Sequence, residues 1–309
     1  MAATPGGYRC PYQGLIPYGE AEAEFFFGRE SWIKIIENNL LASRLTLFYG
    51  PSGVGKSSVL LAGVVSRLKL QAQETMTQRD VSPTLVIVCR DWRDEPLGVL
   101  REKIQGAFQT QTGTALASDL DSCPDLRSLL KKCSQELTRW KQDDKRTPGK
   151  ILLILDQFEE YFLYHPSEVG ANSFAKTFPD AVNDLELPLH VLISLREDSL
   201  AKLDQFKGQI PKLFANRLRI NHLDRAAAIE AILKPVEEFN RRLPEGSRKA
   251  SVEPRLVHDV LEQVKVGRIH TDEESVANHT TTPAEPDGQG EKLLVETPFL
   301  QLEIGRAHV

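Results

Sequence analysis

The segment "LTLFYGPSGVGKSSVLLAG", residues 45–63, joins a short apolar run to a glycine-rich turn. Gly50, Gly55, Lys56 and Ser57 fit the pattern G-x-x-x-x-G-K-[ST], in which backbone N–H groups of the turn cradle phosphates at the start of a helix. The apolar run before the turn and the helix-forming residues after it supply the strand–turn–helix context that this pattern requires. The segment therefore predicts a phosphate-binding loop (P-loop) between a buried strand and a helix.

The composition is that of a globular protein with a sizeable core. The chain has 309 residues, of which 41% are hydrophobic and 26% charged. Its 38 basic and 43 acidic residues give a net charge of -5, so no basic nucleic-acid footprint is predicted. The N-terminus has neither the basic nor the apolar region of a secretory signal, and no apolar run is long enough to cross a membrane. We expect a cytoplasmic protein with reduced thiols, since the cysteines lack metal-ligand spacing: Cys10, Cys89, Cys123 and Cys133.

Five apolar runs alternate with helical segments along the chain. Their near-continuous Val, Ile and Leu content is typical of parallel strands covered on both faces by helices. We therefore predict an α/β fold, the doubly wound parallel five-stranded sheet of a P-loop NTPase. The predicted strands are residues 44–50, 84–92, 150–158, 188–198 and 217–223.

The C-terminal third is predicted to be helical and then polar. Asp224 is a candidate N-cap for a helix over residues 225–243, which Pro235 would kink or end. Residues 270–291 contain almost no large apolar side chain, so we expect a flexible insertion there.

The P-loop pattern assigns chemistry to particular side chains. Lys56 would reach the β- and γ-phosphates, and the Ser57 hydroxyl would bind Mg²⁺. Asp156 ends an apolar run, and on a strand beside the P-loop strand its carboxylate could hold the Mg²⁺ shell. The predicted phosphate-binding residues are Gly50, Pro51, Ser52, Gly53, Val54, Gly55, Lys56, Ser57 and Ser58.

The residue that activates water is less clearly marked. Many P-loop ATPases with an extra central strand place Glu directly after this Asp, where the present chain has Gln157. Glu159 is the first candidate for the role and Glu160 the second, although carboxylates at a helix start also favour the helix dipole. Hydrolysis, where it occurs, is expected to be slow.

Four segments together resemble the novel STAND NTPases, relatives of AAA+ ATPases that act as signalling switches. They are residues 11–30 ("PYQGLIPYGEAEAEFFFGRE"), 50–65, 153–162 ("LILDQFEEYF") and 192–198 ("LISLRED"), and the resemblance extends over residues 11–303. It implies an ATP- and Mg²⁺-binding core between an effector module and a sensor module, often a repeat array, neither of which this chain contains. It also implies a homo-oligomer on activation and no membrane partner.

The resemblance also implies roles for residues outside the P-loop. Gly28 and Arg29 would lie beside the base and ribose; alternatively, Phe25 to Phe27 are core residues and Glu30 begins a helix. Arg196 would approach the γ-phosphate from a neighbouring strand tip, unless it is a surface residue. Pro235 would touch adenine from a helical lid, unless it ends its helix.

The base is predicted to be adenine rather than guanine. Asn221 and Asp224 share the spacing of the guanine-reading N-K-x-D motif, but His222 stands where that motif has lysine. Asp224 is therefore better explained as an N-cap.

The resemblance also suggests how the chain is divided. The final "IGRAHV" can be read from sequencing-adaptor DNA, so we expect a C-terminally truncated fragment that ends in an assembly artefact. The predicted parts are an N-terminal nucleotide-access segment (1–28), a P-loop NTPase domain (29–223), a helical lid (224–245), the start of a winged-helix-like subdomain (246–303) and the artefact (304–309).

The expected function is an ATP/Mg²⁺-dependent signalling switch, a slow ATPase with weak or stimulated hydrolysis that acts on an effector outside this chain. One alternative is an AAA+-type motor or DNA-replication initiator ATPase, which would want a basic winged helix. Residues 252–269 offer only moderate positive charge for that role. A second alternative is a scaffold that binds nucleotide without hydrolysing it. It remains an alternative because Gln157 stands where many P-loop ATPases have the activating Glu.

Overall fold

A computed structural model describes residues 10–77, 81–117, 120–141, 148–168, 170–264 and 294–295. The predicted insertion at 270–291 and the predicted artefact at 304–309 lie outside the described residues. The chain divides into two compact units. The sheet unit comprises residues 30–52 and 56–221, and the helical unit comprises the described parts of residues 1–29, 53–55 and 222–309.

The sheet unit contains the predicted five-stranded sheet, with every neighbouring pair parallel. The prediction of a P-loop type α/β fold is thus confirmed. Apolar side chains fill the central strands, which are buried over most of their length because helices cover them. The strands are β1 (Leu45–Gly50), β2 (Thr84–Cys89), β3 (Lys150–Leu155), β4 (Leu189–Arg196) and β5 (Arg217–Arg219), and their order is β2-β3-β4-β1-β5.

The strand order corrects one expectation. The strand that ends before Asp156, β3, does not lie beside the P-loop strand β1, because β4 pairs with both of them. Leu155 is the register partner of Ile193 on β4, and Gly50 is the partner of Arg196 at the same end of β4. Order along the chain does not fix order across a parallel sheet, whose connections are long crossovers. Arg196 therefore stands at the tip of the strand between the P-loop and Asp156.

The other differences concern where strands end. β2 stops at Cys89 and β3 at Leu155, so Arg90 and Asp156 follow the strands rather than lie within them. The predicted strand 217–223 is also divided: β5 ends at Arg219, and Leu223–Asp224 forms β6 of the helical unit.

Helices cover the sheet. The helix that follows the P-loop runs from Lys56 to Thr77 without a break, and its second part, Val59–Val65, is π-helical. A Cβ atom on Gly63 would lie 2.5 Å from Ile33 Cγ1, so this helix and the helix Glu30–Ala42 approach closely only because residue 63 is glycine. The helices of the sheet unit are α1 (Glu30–Ala42), α2 (Lys56–Ser58), α3 (Ser66–Thr77), α4 (Pro96–Thr112), α5 (Leu126–Lys141), α6 (Phe158–Tyr164), α7 (Phe174–Asn183) and a 3-10 helix (Glu197–Phe206).

An aromatic cluster anchors the end of β3. Trp92 contacts Phe158, Tyr161 and Phe174 with ring centroids 5.1 to 5.9 Å apart. The Trp92 indole Nε1 also donates a 2.8 Å hydrogen bond to the backbone carbonyl oxygen of Asp156. The buried rings therefore fix the backbone from which the Asp156 carboxylate projects.

The helical unit contains a 3-10 helix (Glu20–Phe25), α8 (Arg225–Arg242), α9 (Pro254–Gln263) and the antiparallel pair β6 and β7 (Leu294–Val295). The Asp224 side chain accepts a 2.9 Å hydrogen bond from the Ala227 N–H, which confirms the predicted N-cap. The expectation that Pro235 could end its helix is wrong, since α8 continues to Arg242. Pro235 lacks the N–H that would bond to the Ala231 carbonyl oxygen, and the buried side chains of this stretch hold the helix together there; nearby, Tyr12 donates to the Ile232 carbonyl oxygen at 2.5 Å. In the described ranges, every helix is too short or too polar to span a lipid bilayer.

Candidate functional site

The glycines of the P-loop are required by its backbone. Gly53 and Gly55 adopt φ angles of 73° and 89°, in the left-handed region that other residues rarely occupy. A Cβ atom on Gly50 would lie 2.5 Å from the Ile220 carbonyl oxygen. The chain can therefore turn tightly between the end of β1 and the first helical residue, Lys56. Such a turn presents successive backbone N–H groups to an anion.

Lys56 places a positive charge at the carboxyl end of β1. Its ammonium donates to the carbonyl oxygens of Gly50 at 2.9 Å and Pro51 at 2.8 Å. Burial lowers the pKa of Lys56, and the charges of Glu159 and Asp156 oppose that shift. Lys56 therefore lies within electrostatic range of both predicted acidic residues.

Asp156 is a buried carboxylate. Its side chain is 1% exposed, and its backbone N–H donates to the Cys89 carbonyl oxygen at 2.9 Å. Its Oδ2 lies 3.3 Å from Nε of Arg90, without hydrogen-bond geometry. Within the described residues, neither of these two buried atoms makes a hydrogen bond.

The two candidate water-activating residues face different surroundings. Glu159 accepts a 3.2 Å hydrogen bond at Oε2 from the backbone N–H of Arg196. Burial raises the pKa of Glu159, and the Arg196 hydrogen bond and the Lys56 charge offset part of that rise. Glu160 instead interacts electrostatically with the exposed Arg93. Of the two, Glu159 is the carboxylate near Lys56.

Arg196 lies at the carboxyl end of β4, the strand tip predicted for it. It ends β4 as the register partner of Gly50, and its charge acts on Lys56. Its side chain is 45% exposed and forms an ion pair with Asp198. The structure thus brings Lys56, Asp156, Glu159 and Arg196 to the same end of the sheet, where its parallel strands finish.

The residues predicted to contact the base belong to the helical unit and have structural partners there. Gly28 has a φ angle of 84°, and a Cβ atom on it would overlap the Ala227 carbonyl oxygen. Arg29 is 5% exposed, and its Nη2 donates to the Val54 carbonyl oxygen at 3.0 Å. Burial lowers the pKa of Arg29 to about 10, and the charge of Asp224 opposes the shift.

The alternative explanation of the same segment is partly visible in the fold. Phe25 is buried, Phe26 and Phe27 are half-buried, and Glu30 is the first residue of α1. Pro235, the third predicted base contact, is buried within α8.

Sequence reasoning missed two charged residues at this edge of the sheet. Arg90 was hidden because the predicted strand 84–92 ran through it, although it is the first charged residue after the apolar run. Arg219 ends β5 and pairs with Glu197, with Nε–Oε1 and Nη2–Oε2 distances of 2.7 and 3.0 Å. A charged residue directly after the apolar run 84–89 would have indicated Arg90, since parallel strands share a carboxyl end. Arg219 lies inside the predicted run 217–223, so this signal does not find it.

The donor atoms fit a Mg²⁺ ion that arrives with a phosphorylated ligand. Mg²⁺ is commonly bound by one or two carboxylates, several waters and substrate phosphates. Asp156 offers one buried carboxylate oxygen without a hydrogen bond, and Ser57 follows Lys56 in the first helical turn. Across the described segments, no group of three or more His, Cys, Asp and Glu side chains could hold a metal by itself.

Comparisons with known proteins give a family and a fold. The family model described as Novel STAND NTPase 1 matches residues 11–266. The Walker-type ATPase PABY2304 of Pyrococcus abyssi is similar in structure, with a TM-score of 0.53 and 19% identity over 82% of this chain and 67% of that one. At this identity the likeness concerns the fold. No curated protein matches the chain in sequence.

Two further solved structures are more distantly similar. The ORC2 protein of Aeropyrum pernix, in ADPNP-ADP complexes, has a TM-score of 0.46 and 17% identity, covering 81% of this chain. The ORC1 protein of Aeropyrum pernix, in complex with DNA, has a TM-score of 0.44 and 17% identity, covering 72% of this chain. The present chain spans only 58% and 52% of the lengths of those two proteins.

Proposed function

We propose that this chain, which belongs to the novel STAND NTPase 1 family, binds ATP with Mg²⁺ and acts as a slowly hydrolysing signalling switch. Family and fold make it a nucleotide-binding P-loop NTPase. One observation carries the finer proposal. The Lys56 ammonium lies at the turn after β1, within the electrostatic reach of Asp156, Glu159 and Arg196.

Phosphate binding would rest on the turn and its lysine. The positive-φ glycines shape a turn whose N–H groups would donate hydrogen bonds to phosphate oxygens, and Lys56 would add the charge that reaches the β- and γ-phosphates. Ser57 and Asp156 would hold Mg²⁺, which neutralises charge on the phosphates when bound. Because the Asp156 side chain is buried, its carboxylate would meet the metal inside the protein rather than in bulk water.

Hydrolysis would depend on Glu159. Its hydrogen bond from Arg196 N–H holds the carboxylate at the tip of β4, and burial raises its pKa, which strengthens it as a base for water. Gln157 stands where many related ATPases place the activating Glu, and its amide cannot take a proton from water. We expect slow turnover, because the activating carboxylate would be Glu159, which is two residues further along the chain than Gln157.

The switch would depend on the γ-phosphate. Arg196 lies at the tip of the strand beside β1, and a contact of its guanidinium with the γ-phosphate would distinguish ATP from ADP. Moving a two-state equilibrium from 1:99 to 99:1 needs about 5.5 kcal/mol of differential binding. Contacts with Lys56, the metal and Arg196 could supply that difference together.

Several finer assignments remain predictions from the resemblance. They are base and ribose contacts of Gly28 and Arg29, an adenine contact of Pro235, effector and sensor modules, a homo-oligomer on activation and a cytoplasmic location. The division at residues 29–223, 224–245 and 246–303 stays a prediction as well.

The proposal is tested by thermal unfolding with and without Mg²⁺-ATP. A ligand that binds only the folded state at a hundredfold excess over Kd adds about 2.7 kcal/mol of stability. Wild type and Lys103→Ala, which alters an exposed lysine of α4, should show the same rise in Tm. Lys56→Ala should show none. Equal stabilisation of the Lys56 variant and wild type would refute the P-loop assignment.

A further inference from the structure

Arg90 is the charged neighbour of the Asp156 carboxylate. It follows the last residue of β2 on the strand next to β3. Its Nε lies 3.3 Å from Asp156 Oδ2, with side-chain exposures of 36% and 1% respectively. Its Nη2 donates a 3.4 Å hydrogen bond to the amide oxygen of Gln157. One guanidinium therefore lies against two successive side chains at the end of β3.

Arg90 compensates the charge of Asp156 without a hydrogen bond between Nε and Oδ2. A buried carboxylate is costly unless a counter-charge compensates it. Arg90 gives that compensation, yet Nε and Oδ2 do not meet in hydrogen-bond geometry, and each atom is buried without another hydrogen-bond partner among the described residues. Oδ2 can therefore still accept a cation, while its negative charge is already balanced.

Gln157 gives the guanidinium a second partner. Gln157 has a φ angle of 54°, one of the positive values among the non-glycine residues described. Such a conformation costs energy for a residue with a side chain. Here it accompanies an amide oxygen that can hold Arg90 independently of Asp156.

We propose that Arg90 is a substitute counter-cation for the metal at Asp156. It balances the carboxylate in the absence of a divalent cation, and it shifts towards Gln157 when Mg²⁺ arrives with nucleotide. This inference rests on the proposed function, because it requires Asp156 to contact the metal or its water shell. Arg90 acts through Asp156, so it is a positioning residue.

Two effects on metal binding follow from removing the charge. In Arg90→Gln, the buried Asp156 carboxylate loses the counter-charge that lies 3.3 Å from it and keeps only the charge of Lys56, so the Tm without ligand should fall. Mg²⁺-ATP then supplies the missing cation, so the rise in Tm should exceed that of wild type. The Mg²⁺ concentration for half-maximal effect at fixed ATP should fall about tenfold, because one positive charge no longer repels the ion across a few ångströms.

The experiment is a Mg²⁺ titration at fixed ATP, followed by thermal unfolding, with an EDTA arm to define the metal-free Tm. Arg93→Gln is the matched control, since it removes an exposed arginine near Arg90 and should behave as wild type. Arg90→Lys keeps the charge and should keep a Mg²⁺ midpoint close to wild type. Arg90→Gln combined with Asp156→Asn should be more stable in EDTA than Arg90→Gln alone, because the uncompensated charge is gone.

The outcomes separate this inference from the proposed function. If wild type itself shows no Mg²⁺-dependent rise in Tm, the proposed function fails and the inference with it. If wild type responds but Arg90→Gln needs as much Mg²⁺ or more, only the inference is overturned. Should Arg90→Gln fail to fold without ligand, recovery by Mg²⁺-ATP and by the added Asp156→Asn substitution supports the inference. Failure of both recoveries refutes it.

Discussion

Replacing Arg196 with alanine should weaken binding of ATP but not of ADP. Arg196 ends β4 as the register partner of Gly50, so its guanidinium lies at the carboxyl edge of the sheet, where nucleotides bind to open parallel sheets. A guanidinium that reaches the γ-phosphate has no equivalent contact in ADP. The substitution therefore tests whether the protein senses the third phosphate.

The magnitude follows from the contacts that Arg196 gains and loses. A charge-assisted hydrogen bond to phosphate contributes about 1.5 to 3 kcal/mol. To make it, Arg196 must leave Asp198, and that ion pair is exposed, 45% for the arginine and 58% for the aspartate. Exposed pairs contribute about 0 to 1 kcal/mol. The net is about 0.5 to 3 kcal/mol, or roughly two- to 150-fold in the Kd for ATP, and the middle of that range is about twentyfold.

Calorimetric titration of Mg²⁺-ATP and Mg²⁺-ADP into each variant measures both constants. Arg219→Ala is the matched control, because Arg219 ends β5 on the other side of β1 and is held by Glu197. It should change neither constant by more than about twofold. Asp198→Asn should tighten ATP binding a few fold by releasing Arg196. Parallel losses of ATP and ADP affinity in Arg196→Ala, or no loss, would remove Arg196 from the mechanism.

Two further pairs of substitutions test the water-activating carboxylate and the packing of Gly28. Glu159→Gln should leave ATP binding intact and remove turnover in a single-turnover assay, whereas Glu160→Gln should keep both binding and turnover. The reverse pattern would make Glu160 the activating carboxylate. No turnover in wild type would favour a nucleotide-binding scaffold. Gly28→Ala should lower the free energy of unfolding, measured by urea titration, by more than about 1 kcal/mol, because of its φ angle of 84° and the overlap with the Ala227 carbonyl oxygen. Gly106→Ala, at a helix position where an added Cβ would meet no atom within 4 Å outside its own helical turns, should instead stabilise by up to about 1 kcal/mol, and equal effects of the two would contradict the packing argument.

Local pattern predicted much of this fold. Four of the five apolar runs each contain one strand of the sheet, the run at 217–223 is divided between β5 and β6, and the helix after the P-loop begins at Lys56 as the motif requires. Asp224 caps α8 because the short side chain reaches the Ala227 N–H three residues on. These features depend on residues that are close together along the chain, within one helical turn or one strand. They can therefore be predicted from one sequence.

Contacts between distant segments could not be predicted in the same way. The Arg44 guanidinium donates to carbonyl oxygens at the end of α7 and the start of β4, among them Val182 at 2.8 Å and Leu189 at 2.7 Å. An arginine before a strand gives no sign of such partners. The pairing of Arg90 with Asp156 likewise depends on β2 and β3 being neighbours, which the sequence does not state. Charged residues after apolar runs indicate the edge of the sheet, but the strand order decides which of them meet.

The position of β4 joins the two proposed activities at one residue. Glu159 accepts its hydrogen bond from the backbone N–H of Arg196, while the side chain of the same residue is proposed to contact the γ-phosphate. Arg196→Ala keeps that N–H and removes only the guanidinium, so Glu159 should stay where it is. A loss of turnover at saturating ATP in this variant would therefore report the guanidinium acting on the transition state rather than a displaced Glu159. Unchanged turnover with weakened ATP binding would instead limit Arg196 to sensing the nucleotide.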